Sequence, residues 1–217
     1  MYPMKKIYFA LAILSLALVR VNATEQDTVN RCAAIIREFR IMPERAIPRD
    51  VLRHARGLAI MSVLKAGFIF SGKGGHGVVV ARTPRGWSGP SFIATGGAGW
   101  GLQAGAQVTD FVIVLNNDSA VRAFSRGGNV TLGADVSAAA GPVGRTAEGA
   151  VAPTAAVYTY SRSKGLFAGV SLEGAVIGTQ RDSNFRYYGR PVRADEILSG
   201  LTTPPPGARP LRRALGR

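Results

Sequence analysis

Apolar residues recur at three- and four-residue intervals early in the chain and then change rhythm. In residues 28–42, TVNRCAAIIREFRIM, one helical face carries Val29, Cys32, Ile35, Ile36 and Phe39. Arg31, Arg37, Glu38 and Arg40 lie off that stripe. The spacing predicts an amphipathic helix ended by Pro43. Pro48 suits the first turn of a second short helix, Arg49–Ala55, stopped by Gly57. From Leu58 the run GLAIMSVLKAGFIFSGKGGHGVVVAR is apolar, β-branched and punctuated by glycine. It predicts strands near Leu58–Ser62, Gly67–Ser71 and Gly77–Arg82, with a turn at Lys73–His76. A turn at Thr83–Gly86 and strands at Trp87–Ala94, Leu102–Gln107 and Phe111–Leu115 follow. Asn117, Asp118 and Ser119 can cap a short helix, Ala120–Ser125, ended by Gly127-Gly128. Further strands are expected at Val130–Ala140, Ala155–Tyr160, Leu166–Glu173 and Ala175–Thr179, and a last helical turn at Asp195–Ser199. The fold class is therefore α+β and β-rich. It is an antiparallel β-barrel or sandwich with an N-terminal amphipathic helix and short flanking helices.

The ends of the chain read differently. Lys5 and Lys6 precede an apolar run, Ile7–Val19, and Val21-Asn22-Ala23 offers small residues for cleavage. This is the pattern of a secretory signal peptide, residues 1–23. The run falls short of the ~20 residues that span a bilayer. The amphipathic helix occupies 24–45 and the β-rich domain 46–200. Residues 201–217 are rich in proline and arginine without an acid and are expected to be disordered.

Charge narrows the function. Without Lys5, Lys6 and Arg20 the chain has 24 basic and 13 acidic residues, a net charge of +11. Such a surplus draws phosphate-rich surfaces. Export turns that expectation from nucleic acid toward anionic lipid or an acidic polymer of the cell envelope. Cys32 is the sole cysteine, so no intramolecular disulfide can form. Its place on the apolar stripe makes it a buried thiol.

Catalytic and cofactor motifs do not assemble. Gly99-Trp100-Gly101-Leu102-Gln103-Ala104 matches G-x-G-x-x-A, but another strand-like run follows at once and leaves no room for the helix that motif must open. Gly72-Lys73-Gly74-Gly75-His76-Gly77 lacks the phosphate-loop order and reads as a hairpin loop whose amides and Lys73 could meet a phosphate. His54 and His76 have no partner at metal-ligand spacing. No G-x-S-x-G elbow marks a nucleophile. Asp110 and Asp135 lie in or beside strands, where a buried carboxylate anchors a turn or pairs with arginine. No enzyme, cofactor or metal is expected.

The stretch from Ile47 to Gly200 resembles the SYLF domain. The likeness is carried by Ile47-Pro48, Ala55-Arg56-Gly57-Leu58-Ala59-Ile60 and Lys65-Ala66-Gly67-Phe68. It continues in Gly74–Arg82, Trp87-Ser88-Gly89-Pro90-Ser91, Leu132-Gly133-Ala134-Asp135, Ala140–Arg145 and Tyr160–Gly174. The resemblance implies binding to phosphoinositides and other anionic lipids, with actin filaments as a partner of some fungal relatives. It implicates the helix before the core, here with Arg31, Ile35, Ile36, Arg37, Phe39 and Arg40. That helix departs from a basic pattern, because Arg31, Arg37, Arg40 and Arg45 are balanced by Glu25, Asp27, Glu38 and Glu44. The remaining candidate lipid contacts are Lys65, Lys73, Arg82, Arg85, Arg162 and Lys164. Phe68, Phe70 and Trp87 are their apolar partners, or else part of the core. The expected partner is an anionic phospholipid membrane surface. The alternative is an acidic polymer or protein of the envelope.

Overall fold

The computed structural model describes residues 24–42, 47–132, 134–135, 137–140, 155–165 and 175–216. The signal-peptide segment and the strand expected at Leu166–Glu173 lie outside them. Helix α1 spans Glu25–Ile41. It starts earlier than its apolar stripe because Thr24 and Asp27 form a reciprocal capping box. The stripe itself is buried as expected, with Ile35, Ile36 and Phe39 all inside. Short helix α2, Arg49–His54, follows.

The centre of the fold is one long hairpin. Strand β1, Gly57–Thr83, pairs antiparallel with β3, Ser91–Leu115, from Gly57↔Leu115 to Val79↔Ser91. A register shift interrupts the ladder between Phe68 and Phe70. The turn expected at Lys73–His76 is not there. Those residues are mid-strand, paired with Gly97–Ala94. The glycines serve a close backbone approach instead. A Cβ on Gly77 would lie 2.1 Å from the Ile60 carbonyl, and one on Gly75 2.7 Å from that of Ser62. The far half of β1 therefore returns against its near half, and the Arg82 amide donates to the Arg56 carbonyl at 2.8 Å. The same hairpin absorbs the G-x-G-x-x-A stretch, where Gly99 and Trp100 pair with Ser71 and Phe70.

Strand β2, Gly86–Trp87, closes back on the end of β1. Strand β6, Val157–Gly165, extends the sheet beside β3, and β5, Ala138–Ala140, adds a parallel edge. Strands β4, Asn129–Thr131, and β7, Val176–Thr179, pair with each other, and β7 pairs with the start of β3. The result is a curled half-barrel sheet with helices, antiparallel apart from that one edge.

Both faces of the sheet are covered. Leu58, Ile60, Val78, Val80, Val112 and Val114 face α1 and the C-terminal segment. Their neighbours Ala59, Met61, Val79, Ala81, Ile113 and Leu115 face the other layer, with Phe124 and Leu198. Two buried faces need no polar alternation, which is why the strands read as near-continuous apolar runs. The second layer includes α3, Asp118–Ser125, capped by Asn117, and α5, Ala194–Leu198. Helix α4, Arg181–Tyr188, carries a buried Asn184 that accepts from the Phe92 amide at 2.8 Å. Among the described residues, no helix is long and apolar enough to cross a membrane.

The segment expected to be disordered is folded. Residues Pro206–Ala208 form a 3-10 turn, and Arg209–Leu215 form helix α6. Leu211 and Ala208 are fully buried. Arg40 donates to the Ala214 carbonyl at 2.8 Å, and Gln26 to that of Gly207 at 3.0 Å. Thus α6 lies along α1 from end to end. Burial of a short apolar stripe offsets the ordering cost that composition alone suggested would win.

Candidate anion-binding clefts

A buried ion network decides which arginines are available. Asp110, 1% exposed on β3, accepts from Arg31 with both oxygens at 2.7 Å. It also accepts from Ser62 at 2.9 Å and from Arg162 at 3.1 Å. Arg162 is also paired with Glu38 of α1. Burial, and then the neighbouring Arg31 charge, lower the Arg162 pKa from its ordinary value. Arg31 and Arg162, two of the candidate lipid contacts, are therefore spent in holding α1 on the sheet. Ile35, Ile36 and Phe39 point into the core and present no apolar face to a membrane. Arg37 stays exposed on α1. Several other arginines pair locally: Arg56 with Asp118, Arg186 with Glu25, and Arg193 with Asp195.

Part of the remaining charge lies around Trp87. The Arg82 guanidinium lies 4.1 Å from the centre of the Trp87 ring. Partial burial lowers the Arg82 pKa from its ordinary value. On one side of this stack is a cleft of about 570 Å³. Arg40, Arg49, Arg53 and Arg82 line it, together with Ile41, Ile47, Leu52 and Leu215. Of these, Arg53 alone has a carboxylate partner among the described residues, Asp50. On the other side is a cleft of about 660 Å³ lined by Arg85, Trp87, Arg209, Arg212 and Arg213. Arg85 donates to the Gly200 carbonyl at 2.7 Å. Arg209, Arg212 and Arg213 have no ion pair among the described residues. Among the described residues, no carboxylate lines either cleft.

Trp87 is 4% exposed, and its indole N–H has no hydrogen-bond partner among the described residues. One cleft offers charge with an aliphatic wall, and the other offers charge beside the Trp87 ring. Together they can hold an anionic group and the apolar part of an amphiphile.

The structure thus brings Arg40, Arg82, Arg85 and Trp87 together. Lys65 and Lys73 are half-buried along the hairpin, away from the clefts. Lys73 packs its alkyl stem over Gly97. The side chains of Phe68, Phe70 and Lys164 lie outside the described ones. Sequence reasoning missed Arg49, Arg53, Arg209, Arg212 and Arg213. The signal for the last three was the i, i+3 spacing of Leu211 and Ala214, too short to stand out beside Pro204–Pro206. Asp135 anchors a turn by accepting from the Thr131 amide at 2.7 Å.

A curled sheet sealed by helices, with its free charge gathered in two surface clefts, defines a β-rich binding module. The chain belongs to the Ysc84 family, the SYLF family of the sequence resemblance. The family model described as Las17-binding protein actin regulator matches residues 96–217. LAS seventeen-binding protein 3 of Saccharomyces cerevisiae is 52% identical over 177 residues, 79% of this chain and 39% of that protein. Protein YSC84 of the same yeast is 49% identical over 201 residues, 88% and 43% of the two chains. The human SH3 domain-containing YSC84-like protein 1 is 48% identical over 194 residues, 86% and 57%. The chain spans about half the length of these curated relatives.

Proposed function

We propose that the clefts around Trp87 bind the head group of an anionic phospholipid, phosphoinositide-like in carrying phosphate, at a membrane surface. The module then acts as a peripheral, non-catalytic binder. The observation that carries this reading is the set of arginines lining the two clefts without a lining carboxylate. Arginine forks match phosphate oxygens in pairs. The apolar wall of Ile41, Ile47 and Leu52 suits the start of an acyl chain. Ile41 is 78% exposed and lines this cleft.

The reading includes export. It rests on Lys5, Lys6, the Ile7–Val19 run and Ala23. Sequencing the N-terminus of protein recovered outside the cytoplasm is expected to start at Thr24. Retention of Met1 in that fraction overturns this part.

Vesicle co-sedimentation tests the lipid reading. Anionic vesicles are expected to pull down the protein, neutral ones are not, and salt is expected to weaken the contact, since screening at physiological strength acts over ~8 Å. Replacing Arg82 and Arg85 by Gln is expected to release it. Equal, salt-insensitive binding to both vesicle types defeats the proposal. A protein partner is the second reading, favoured by the names of the yeast relatives, which refer to Las17 binding. Capture of an acidic protein at fixed stoichiometry, with no vesicle binding, supports it.

A further inference from the structure

We infer that α6 is the selectivity element of this site, and that the group it selects is a phosphomonoester rather than a phosphodiester. The inference rests on the anion-binding reading and deepens it. Arg209, Arg212 and Arg213 come from one helical turn and a half, and Arg85 faces them from the turn before β2. The helix is held in place by buried Leu211 and Ala214 and by the Arg40 bond to the Ala214 carbonyl. Its position over the β1–β2 turn is tight. A Cβ on Gly86 would come within 4.0 Å of an Arg212 guanidinium nitrogen. Four guanidinium groups thus share one cleft of about 660 Å³ whose lining contains no carboxylate.

Like charges gathered this closely repel one another, and a bound anion relieves that repulsion in proportion to its charge. A phosphomonoester carries ≈ −1.5 to −2 at neutral pH and three terminal oxygens. A phosphodiester carries a single charge and two free oxygens. The three terminal oxygens offer three oxygen pairs to guanidinium forks, whereas two free oxygens offer one. The second cleft, with Ile41, Ile47 and Leu52 in its wall, suits whatever apolar part the ligand carries.

The test uses the chain from Thr24 and two sets of phosphatidylcholine vesicles. One contains phosphatidate and the other phosphatidylglycerol, matched in total surface charge. Binding to the phosphatidate set is expected to be ~10-fold tighter, the gain that extra charge-assisted hydrogen bonds supply. Arg212→Gln with Arg213→Gln is expected to abolish the difference, lowering phosphatidate binding more than it lowers phosphatidylglycerol binding. Arg212→Lys with Arg213→Lys keeps the charge and removes the fork, and is expected to lose most of the preference. Calorimetry with glycerol 3-phosphate identifies the source of the group. Binding comparable to that of phosphatidate assigns the site to a soluble phosphomonoester, and much weaker binding assigns it to lipid. Equal affinity for the two vesicle sets overturns the selectivity, as does a preference that survives the Gln pair. If that equal binding falls with salt, the anionic-surface reading still stands. If neither set binds, both fall.

Discussion

Asp110→Asn removes one charge from the only fully buried member of the α1 latch. The aspartate accepts four hydrogen bonds, two from Arg31, one from Ser62 and one from Arg162. The asparagine keeps one acceptor oxygen and turns an amide donor toward a guanidinium donor. Glu38 alone is then left to balance Arg162, whose side chain is 16% exposed. Losing one partner of a buried pair costs 3–5 kcal/mol. Arg31 is 39% exposed and recovers some hydration, so the lower end, about 3 kcal/mol, is the expected loss. At 2–4 °C per kcal/mol for a chain this long, the midpoint falls by about 6–12 °C. Thermal and urea denaturation measure it directly. Adding Arg162→Met removes the stranded cation and is expected to recover at least ~1 kcal/mol, a coupling that distant sites do not show. A single-variant loss below ~1 kcal/mol would show that the network behaves as a surface pair, and the latch argument would fail.

Three further outcomes follow from the packing. Burial pushes the Cys32 thiol up to about 12, and it donates to the Ile60 carbonyl at 3.3 Å; Ellman's reagent is expected to label it only through release of α1, faster in Asp110→Asn. Equal labelling rates in the two proteins would contradict this. Gly77→Ala is expected to cost more than ~3 kcal/mol or prevent folding, because the new methyl meets the Ile60 carbonyl. Gly74→Ala meets nothing within 4 Å and is expected to stay within ~0.5 kcal/mol in urea denaturation. Leu211→Ala, at a fully buried site, is expected to cost ~2–5 kcal/mol and to weaken anionic-vesicle binding, because the arginine-lined wall loosens. Unchanged binding with reduced stability would separate α6 from the site.

Elements with a one-sided stripe were legible, and elements without one were not. Helix α1 declared itself through Val29, Cys32, Ile36 and Phe39. Helix α4 did not, because its buried position is Asn184 and its Phe185 is half exposed. Many of the strands were found, but the three pieces expected between Leu58 and Arg82 are one strand, and the one expected at Val130–Ala140 is two, Asn129–Thr131 and Ala138–Ala140. Glycine marks both a turn and a close passage of backbone, and only the fold distinguishes them at Gly75 and Gly77. The alternation within β1 is hidden because both faces are buried. Pairing of Asp110 with an arginine was anticipated in kind, yet its main partner, Arg31, lies 79 positions away. Trp87, Arg82 and Arg85 could be grouped from their nearness in the sequence. Their convergence with Arg212 and Arg213 depends on α6 docking, which composition argued against.

The contact of Arg40 with the carbonyl of Ala214 joins positions 174 residues apart. Synthesis runs in one direction, so α1 is finished long before its flanking helix exists. Throughout that interval part of its greasy side lacks a cover, and the nascent chain is a natural client for holding factors. The architecture cannot close until the codons for Arg209–Leu215 are read. A ribosome stalled short of them delivers a product still open along one flank.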